Sequence, residues 1–263
     1  MSNIASAFAN GKAFIGFVTG GDPTMAKTEE YILALADAGA DLIEIGIPFS
    51  DPIAEGPVIQ RANIRALSAG ATVDKLFDLV VSIREKIHTP IVFLTYLNPV
   101  FHYGYDAFFA KCRVTGVDGI IIPDLPFEEQ AEAKTVASNY DIDIITLIAP
   151  TSEDRIRKIA EHAAGFIYVV SSMGVTGVRS EIRTDLPSII ASIRTYTDVP
   201  VAVGFGIHTP EQATEISKIA DGVIVGSKIV TIIEEHPQDA AGYLREYAKS
   251  MKAAVGNRDA AGT

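Results

Sequence analysis

Ala40-Asp-Leu-Ile-Glu-Ile-Gly-Ile-Pro-Phe-Ser-Asp-Pro-Ile-Ala-Glu-Gly-Pro-Val-Ile-Gln60 runs a short apolar stretch into a loop and gathers three carboxylates, Glu44, Asp51 and Glu55, around one strand end. Asp41 to Ile45 is brief, apolar and bounded by Gly39 and Gly46, as a buried strand requires. Glu44 falls on the same side of it as Leu42, so its carboxyl points inward. Asp51-Pro52, Glu55-Gly56 and Pro57 then break regular structure. An unpartnered buried carboxylate costs several kcal/mol, roughly, and no Lys or Arg stands inside any strand-like run. Glu44 therefore has either a chemical task or a hydrogen-bonded place in the core, with a loop arginine as its other possible partner.

Outward from this stretch, strand-like runs recur in order: Phe14–Val18, Asp41–Ile45, Ile91–Tyr96, Gly119–Ile122, Ile142–Ile148, Gly165–Ser171, Val199–Gly204 and Gly222–Val225. Helical patterns separate them. Val73, Leu76, Phe77, Val80, Ile83 and Ile87 keep the three-and-four spacing of a half-buried helix, as do Ile156, Ile159 and Ala160. Thr209-Pro210-Glu211-Gln212 reads as a helix start with a capping box. Strict alternation predicts a parallel sheet, and eight units predict an α/β single-domain (β/α)8 TIM barrel, with an open doubly wound sheet as the alternative. The barrel domain spans residues 1–255, with Asn3–Asn10 as an extra N-terminal helix, a phosphate-binding helix after strand 8, and a frayed tail over 256–263. Gly39-Ala40-Asp41, Gly116-Val117-Asp118 and Ala220-Asp221 form a weak echo of one repeated unit.

Composition narrows the function. A formal charge of -11 over 263 residues argues against nucleic acid or an anionic membrane as partner, and an anionic substrate would need local donors. No apolar run approaches the roughly 20 residues that cross a bilayer, although mean hydropathy is positive at +0.24. The first residues lack the pattern of a secretory signal and Cys112 has no disulfide partner, so a cytoplasmic location is expected. Cys112 itself reads as a packed thiol without chemistry.

In such a barrel, chemistry sits where strands end. Gly204-Phe205-Gly206 closes the seventh run, and Gly226-Ser227 closes the eighth just before the apolar Ile229–Ile233. Bare N–H groups at a helix start bind phosphate, and Gly174-Val-Thr-Gly-Val178 could close over the same ligand as a lid. The plainer reading, that these glycines only make tight turns, applies to each alone but less well to the set. Lysines stand in helices or, like Lys228, beyond the phosphate motif, which disfavours a Schiff base. The histidines are scattered, with His102 and His208 the one plausible pair, so no metal is expected. Carboxylate acid-base chemistry on a phosphorylated substrate remains.

Phe17-Val-Thr-Gly-Gly-Asp-Pro23, Glu44 to Gln60, Tyr168 with Gly174-Val-Thr-Gly177, Gly204-Phe-Gly206 and Gly226-Ser227 stand in one order, and over nearly the whole chain the sequence resembles the tryptophan synthase α-subunit family. The resemblance implies cleavage of indole-3-glycerol phosphate to indole and glyceraldehyde 3-phosphate, without a cofactor in this chain, and transfer of indole to a pyridoxal-phosphate-bearing β subunit in a complex of two α and two β. It makes Glu44 the acid-base residue and Glu55 the carboxylate that holds the indole N–H, at a position where the family usually has Asp. Thr176 matches the lid threonine that bonds that second carboxylate. Phe17, Leu94, Tyr96, Tyr168 and Phe205 match the indole pocket, and Gly177, Gly206, Gly226 and Ser227 the phosphate ligands. Pro48, Asp51 and Asn98 match loop positions that face β. Asp124 either orients a neighbouring loop or forms a turn. Three other readings stay open: a stand-alone lyase releasing free indole, a sugar-phosphate isomerase or epimerase, and a non-catalytic phosphate-sensing subunit.

Overall fold

The computed structural model describes residues 2–171 and 185–256. Eight parallel strands close in chain order: β1 (Ala13–Thr19), β2 (Leu42–Gly46), β3 (Ile91–Leu94), β4 (Gly119–Ile121), β5 (Asp143–Ile148), β6 (Ile167–Val170), β7 (Val201–Gly204) and β8 (Gly222–Val225). Ladder pairing of Ala13 through Gly16 with Gly222 through Val225 joins β1 to β8, which excludes the open sheet. Each predicted run holds one strand. The ends differ by at most two residues, mostly because terminal residues of apolar runs, such as Tyr96 and Ser171, have already turned into loops.

Period-two alternation sorts the strand side chains. Phe14, Ile43, Phe93, Ile144, Val203 and Val223 pack outward against helices, whereas Ile15, Leu42, Val92, Ile145, Ala202 and Ile224 fill the barrel. The α-helices among the described residues are α1 (Met25–Asp37), α2 (Pro57–Ser68), α3 (Val73–Arg84), α4 (Leu97–Tyr103), α5 (Tyr105–Thr115), α6 (Ala131–Ser138), α7 (Glu153–Glu161), α8 (Leu186–Arg194), α9 (Pro210–Ser217), α10 (Ser227–Glu235) and α11 (Ala240–Val255). In α3, Leu76, Phe77, Val80 and Ile83 are buried as their spacing requires. The capping box of α9 is present, Thr209 accepting the Gln212 N–H and Gln212 accepting that of Thr209. Pro57 opens α2 rather than breaking it, since a first-turn residue needs no free N–H. Cys112 is buried in α5, and burial pushes its thiol far up, which leaves it inert.

The leading helix is shorter and tighter than Asn3–Asn10, a 3₁₀ turn over Ile4–Phe8. Ile4 and Phe8 are buried with the barrel interior, and the Phe8 ring lies 5.9 Å from that of Phe166, so the turn plugs the end at which the strands begin.

The repeated Asp has one structural task. Asp41, Asp118 and Asp221 each donate a backbone N–H to the carbonyl of a residue on the preceding strand, Phe14, Ile91 and Val201, at 2.7–2.9 Å. Each carboxylate in turn accepts the N–H of that same residue, at 2.7, 2.9 and 3.1 Å respectively. A cation completes each clamp: Lys252 on Asp41, Arg84 on Asp118, Arg194 on Asp221. The small residues before each Asp let the chain turn tightly into it.

Candidate functional site

At the opposite end, where strands finish, the barrel opens into a cavity of about 940 Å³. Glu44 lies on its wall. The residue is 1% exposed, and Glu44 Oε2 has no hydrogen-bond partner among the described residues. Burial and then the nearby Glu55 carboxyl push its pKa up to about 8, so near neutrality it is mostly protonated. The inward direction read from the β2 pattern is the observed one.

Glu55 reaches the same cavity from the β2–α2 loop. Burial raises its pKa, while hydrogen bonds from Asn63 and Tyr96 work the other way. Asn63 Nδ2 donates to Glu55 Oε2 at 2.6 Å, and the Tyr96 hydroxyl accepts the Ala54 N–H at 3.1 Å, which fixes the loop. Asn63 is itself buried on α2 beside Ala62 and Ala66. Arg65 holds that helix in place: it grips the buried Asp22 carboxylate through two bonds of 2.8 Å and reaches Glu234 of α10 at 2.9 Å.

The apolar wall is assembled from residues far apart in sequence. Phe17 and Glu44 are register partners on β1 and β2, and both face in. Room for the rings comes from glycines at neighbouring positions. A Cβ at Gly46 would stand 2.7 Å from the Phe17 ring, and one at Gly204 would stand 2.3 Å from the Tyr168 hydroxyl. Leu94, Tyr96, Tyr168 and Phe205 complete the wall. Phe205 adopts φ 71°, a left-handed conformation rare outside glycine, and its ring meets Tyr168 edge-on at 6.0 Å. Ser171 steadies this bend, its hydroxyl donating to the Phe205 carbonyl at 2.6 Å. Backbone strain at a strand end fits a functional position.

Gly206, Gly226 and Ser227 line the cavity together on the side of β7 and β8. Gly226 caps α10 without a side-chain bond, and no acid stands in the first turn, so its N–H groups are open to an anion. Thr176 and Gly177, with the rest of the Gly174–Val178 stretch, lie outside the described residues. Asp51 is exposed on the loop after β2 and Asn98 in the first turn of α4, whereas Pro48 is buried within this chain. Asp124 orients its neighbour, accepting the N–H of Leu97 at the start of α4 at 2.8 Å. His102 is exposed on α4, while His208 lines the cavity.

The sequence pattern gives no role to Asn63 or Ser171, and it names His208 and Lys228 only to exclude a metal and a Schiff base. For Asn63 a cue existed, a polar residue on the buried stripe of an amphipathic helix. Lys228 was set aside as a catalytic amine, yet it lines the cavity beside Ser227.

The chain matches the family model described as Tryptophan synthase alpha chain over residues 4–257. It is 51% identical to the tryptophan synthase alpha chain of Lacticaseibacillus casei, covering 97% of this chain and 96% of that one. Identity is 52% with the counterpart from Lactiplantibacillus plantarum, over 99% and 98% of the two chains. The crystal structure of the alpha chain from Legionella pneumophila subsp. pneumophila superposes with a TM-score of 0.88 at 34% identity, covering 100% of this chain and 99% of that one. With a closed barrel, a buried acid and a full-length match all in agreement, the chain belongs to the tryptophan synthase alpha chain family.

Proposed function

We propose that this chain cleaves indole-3-glycerol phosphate to indole and glyceraldehyde 3-phosphate, the α reaction of tryptophan biosynthesis, and passes indole to a β subunit. The observation that carries this reading is Glu44: a buried carboxyl without a cation, held near neutrality by its surroundings, at the wall of an aromatic cavity. A general acid works best with a pKa near the operating pH, and about 8 meets that condition.

The chemistry follows from where charge moves. The protonated Glu44 carboxyl delivers its proton to C3 of the indole, which turns the ring into an electron sink. The side-chain hydroxyl next to C3 loses its proton, for which the Glu44 carboxylate is the available base. The carbon–carbon bond then breaks, its electrons return to the ring, and the hydroxyl-bearing carbon becomes the aldehyde. Positive charge on the indole nitrogen during this step is met by Glu55, whose carboxylate accepts the ring N–H. Asn63 and Tyr96 support its ionised form and its position. The Glu55 side chain, one methylene longer than Asp, is held by its bond from Asn63 on α2.

Phe17, Leu94, Tyr96, Tyr168 and Phe205 exclude water around the indole, and Gly206, Gly226 and Ser227 receive the phosphate. Thr176 and Gly177 are assigned to the closing loop by family pattern. Ile53 and Phe101, 79% and 66% exposed near Asp51 and Asn98 in the chain, support a protein partner covering this rim. A cytoplasmic location is part of this proposal, as suits a biosynthetic enzyme family; separately, no helix among the described residues is long and apolar enough to cross a membrane.

The test is indole release from indole-3-glycerol phosphate by the purified chain, with and without a tryptophan synthase β subunit, with Glu44→Gln as control. Slow release alone, stimulation by β and loss in the variant are expected. Fast release without β would make the chain a free-standing lyase, and no release in either condition would overturn the reading.

A further inference from the structure

The cavity already holds two carboxyl groups, and the chain as a whole carries -11, so a phosphorylated substrate enters against the prevailing charge. Backbone N–H groups at α10 supply only partial positive charge. Lys228 is the one lysine or arginine among the described residues that line the cavity. It follows Ser227 in the first turn of α10, and Thr231, three residues on and so on the same helix face, lines the cavity too. The Thr231 hydroxyl is occupied, donating to the Ser227 carbonyl at 2.8 Å. No carboxylate among the described residues bonds the Lys228 ammonium. His208, which also lines the cavity, already has Nδ1 2.9 Å from the Gly206 carbonyl.

A lysine here is costly to the empty helix. Cations in a first turn oppose the helix dipole, and α10 offsets this with neither an acidic residue nor a capping side chain. A bound phosphate dianion reverses both penalties at once: it accepts the orphan N–H groups and places its charge beside the ammonium. Resting on the reading that the substrate is a phosphomonoester, we infer that Lys228 is a specificity-determining ligand of its phosphate, adding a full charge to the glycine-lined backbone site. This lysine strengthens ground-state and transition-state binding alike, since the phosphate is remote from the bond that breaks.

The experiment compares the full chain with Lys228→Met and Lys228→Arg, using steady-state turnover of indole-3-glycerol phosphate and calorimetric binding of inorganic phosphate. Lys228→Met is expected to raise KM about tenfold with kcat within about twofold, as loss of uniform binding does, and Lys228→Arg to restore most of it. Phosphate affinity should fall in parallel in the Met variant, and the wild-type KM should rise more steeply with salt. Unchanged KM and unchanged phosphate affinity in Lys228→Met would overturn the inference. Weakened phosphate binding in Lys228→Met, with no turnover in any of the three proteins, would uphold the lysine's role and overturn the substrate reading instead.

Discussion

The three clamp aspartates at one end of this barrel and Glu44 at the other are treated in opposite ways. Where strands begin, Asp41, Asp118 and Asp221 each meet a backbone N–H and a Lys or Arg within 3.1 Å. Burial works against the charge of Asp221, but the Val201 N–H, Arg194 and Lys12 outweigh it and hold the carboxyl below its ordinary range. Where strands end, Glu44 has burial and a second carboxyl for company, and its pKa rises to about 8. The same functional group is a staple at one face and a proton store at the other. What differs is the presence of a cation, which the chain supplies in a helix or its last turn at the first face and withholds from Glu44 at the second.

The largest effect should come from removing the unpaired acid. Glu44→Gln is expected to lower kcat/KM by about 10²–10⁴-fold, the usual worth of a positioned acid-base group, while the fold gains stability. The sign follows from linkage. Unfolded, the carboxyl ionises near 4.5, but folded it holds its proton to about 8, so wild-type stability falls as pH rises between these values. The advantage of Glu44→Gln should therefore widen across that window and level off above it, with an upper bound on the order of 5 kcal/mol. Urea denaturation of both proteins from pH 5 to 9 measures this. A constant difference over that range would mean that Glu44 is not held neutral.

The converse experiment strikes a staple. Asp118→Ala removes the acceptor for the N–H groups of Asn3 and Ile91 and takes the counter-ion from Arg84, whose side chain is only 19% exposed and keeps just the carbonyls of Gly116 and Thr89. A loss of about 3 kcal/mol in unfolding free energy is expected, with kcat unchanged at temperatures where the variant is folded. A fall in kcat with little loss of stability would erase the contrast between the two faces.

A smaller effect separates Glu55 from Glu44. Removing the Asn63 bond with Asn63→Ala should raise the Glu55 pKa and shift the acid limb of the kcat/KM profile to higher pH, with activity at neutral pH down about tenfold. A profile that keeps its acid limb would assign that limb to another group.

Much of the barrel was legible in the chain. Each strand-like run became one strand because buried parallel strands are short, apolar and punctuated by Gly and Asp, and the amphipathic spacing of α3 and the capping box of α9 are equally local. The leading turn was harder to read. Asn3–Asn10 has no strong helix period, and its 3₁₀ form depends on the barrel end it plugs through Ile4 and Phe8. The site was legible where a residue type jarred with its place, as Glu44 does inside a strand. Ser171 and Lys228 do not jar, because Lys is common on helices and Ser on strand ends, and Asn63 jars only as one polar residue on the buried stripe of α2.

By itself, then, the sequence determined the order and kind of the elements, the inward direction of Glu44 and the strand ends where chemistry gathers, since periodicity, turn residues and alternation act over a few positions at a time. Tertiary structure alone decided which cation meets which carboxylate, that Gly46 and Gly204 make room for Phe17 and Tyr168, and that Lys228 faces the same cavity as Glu44. Those relations join residues up to about two hundred positions apart, and pairing of neighbouring strands together with closure of β8 onto β1 sets the distances between them.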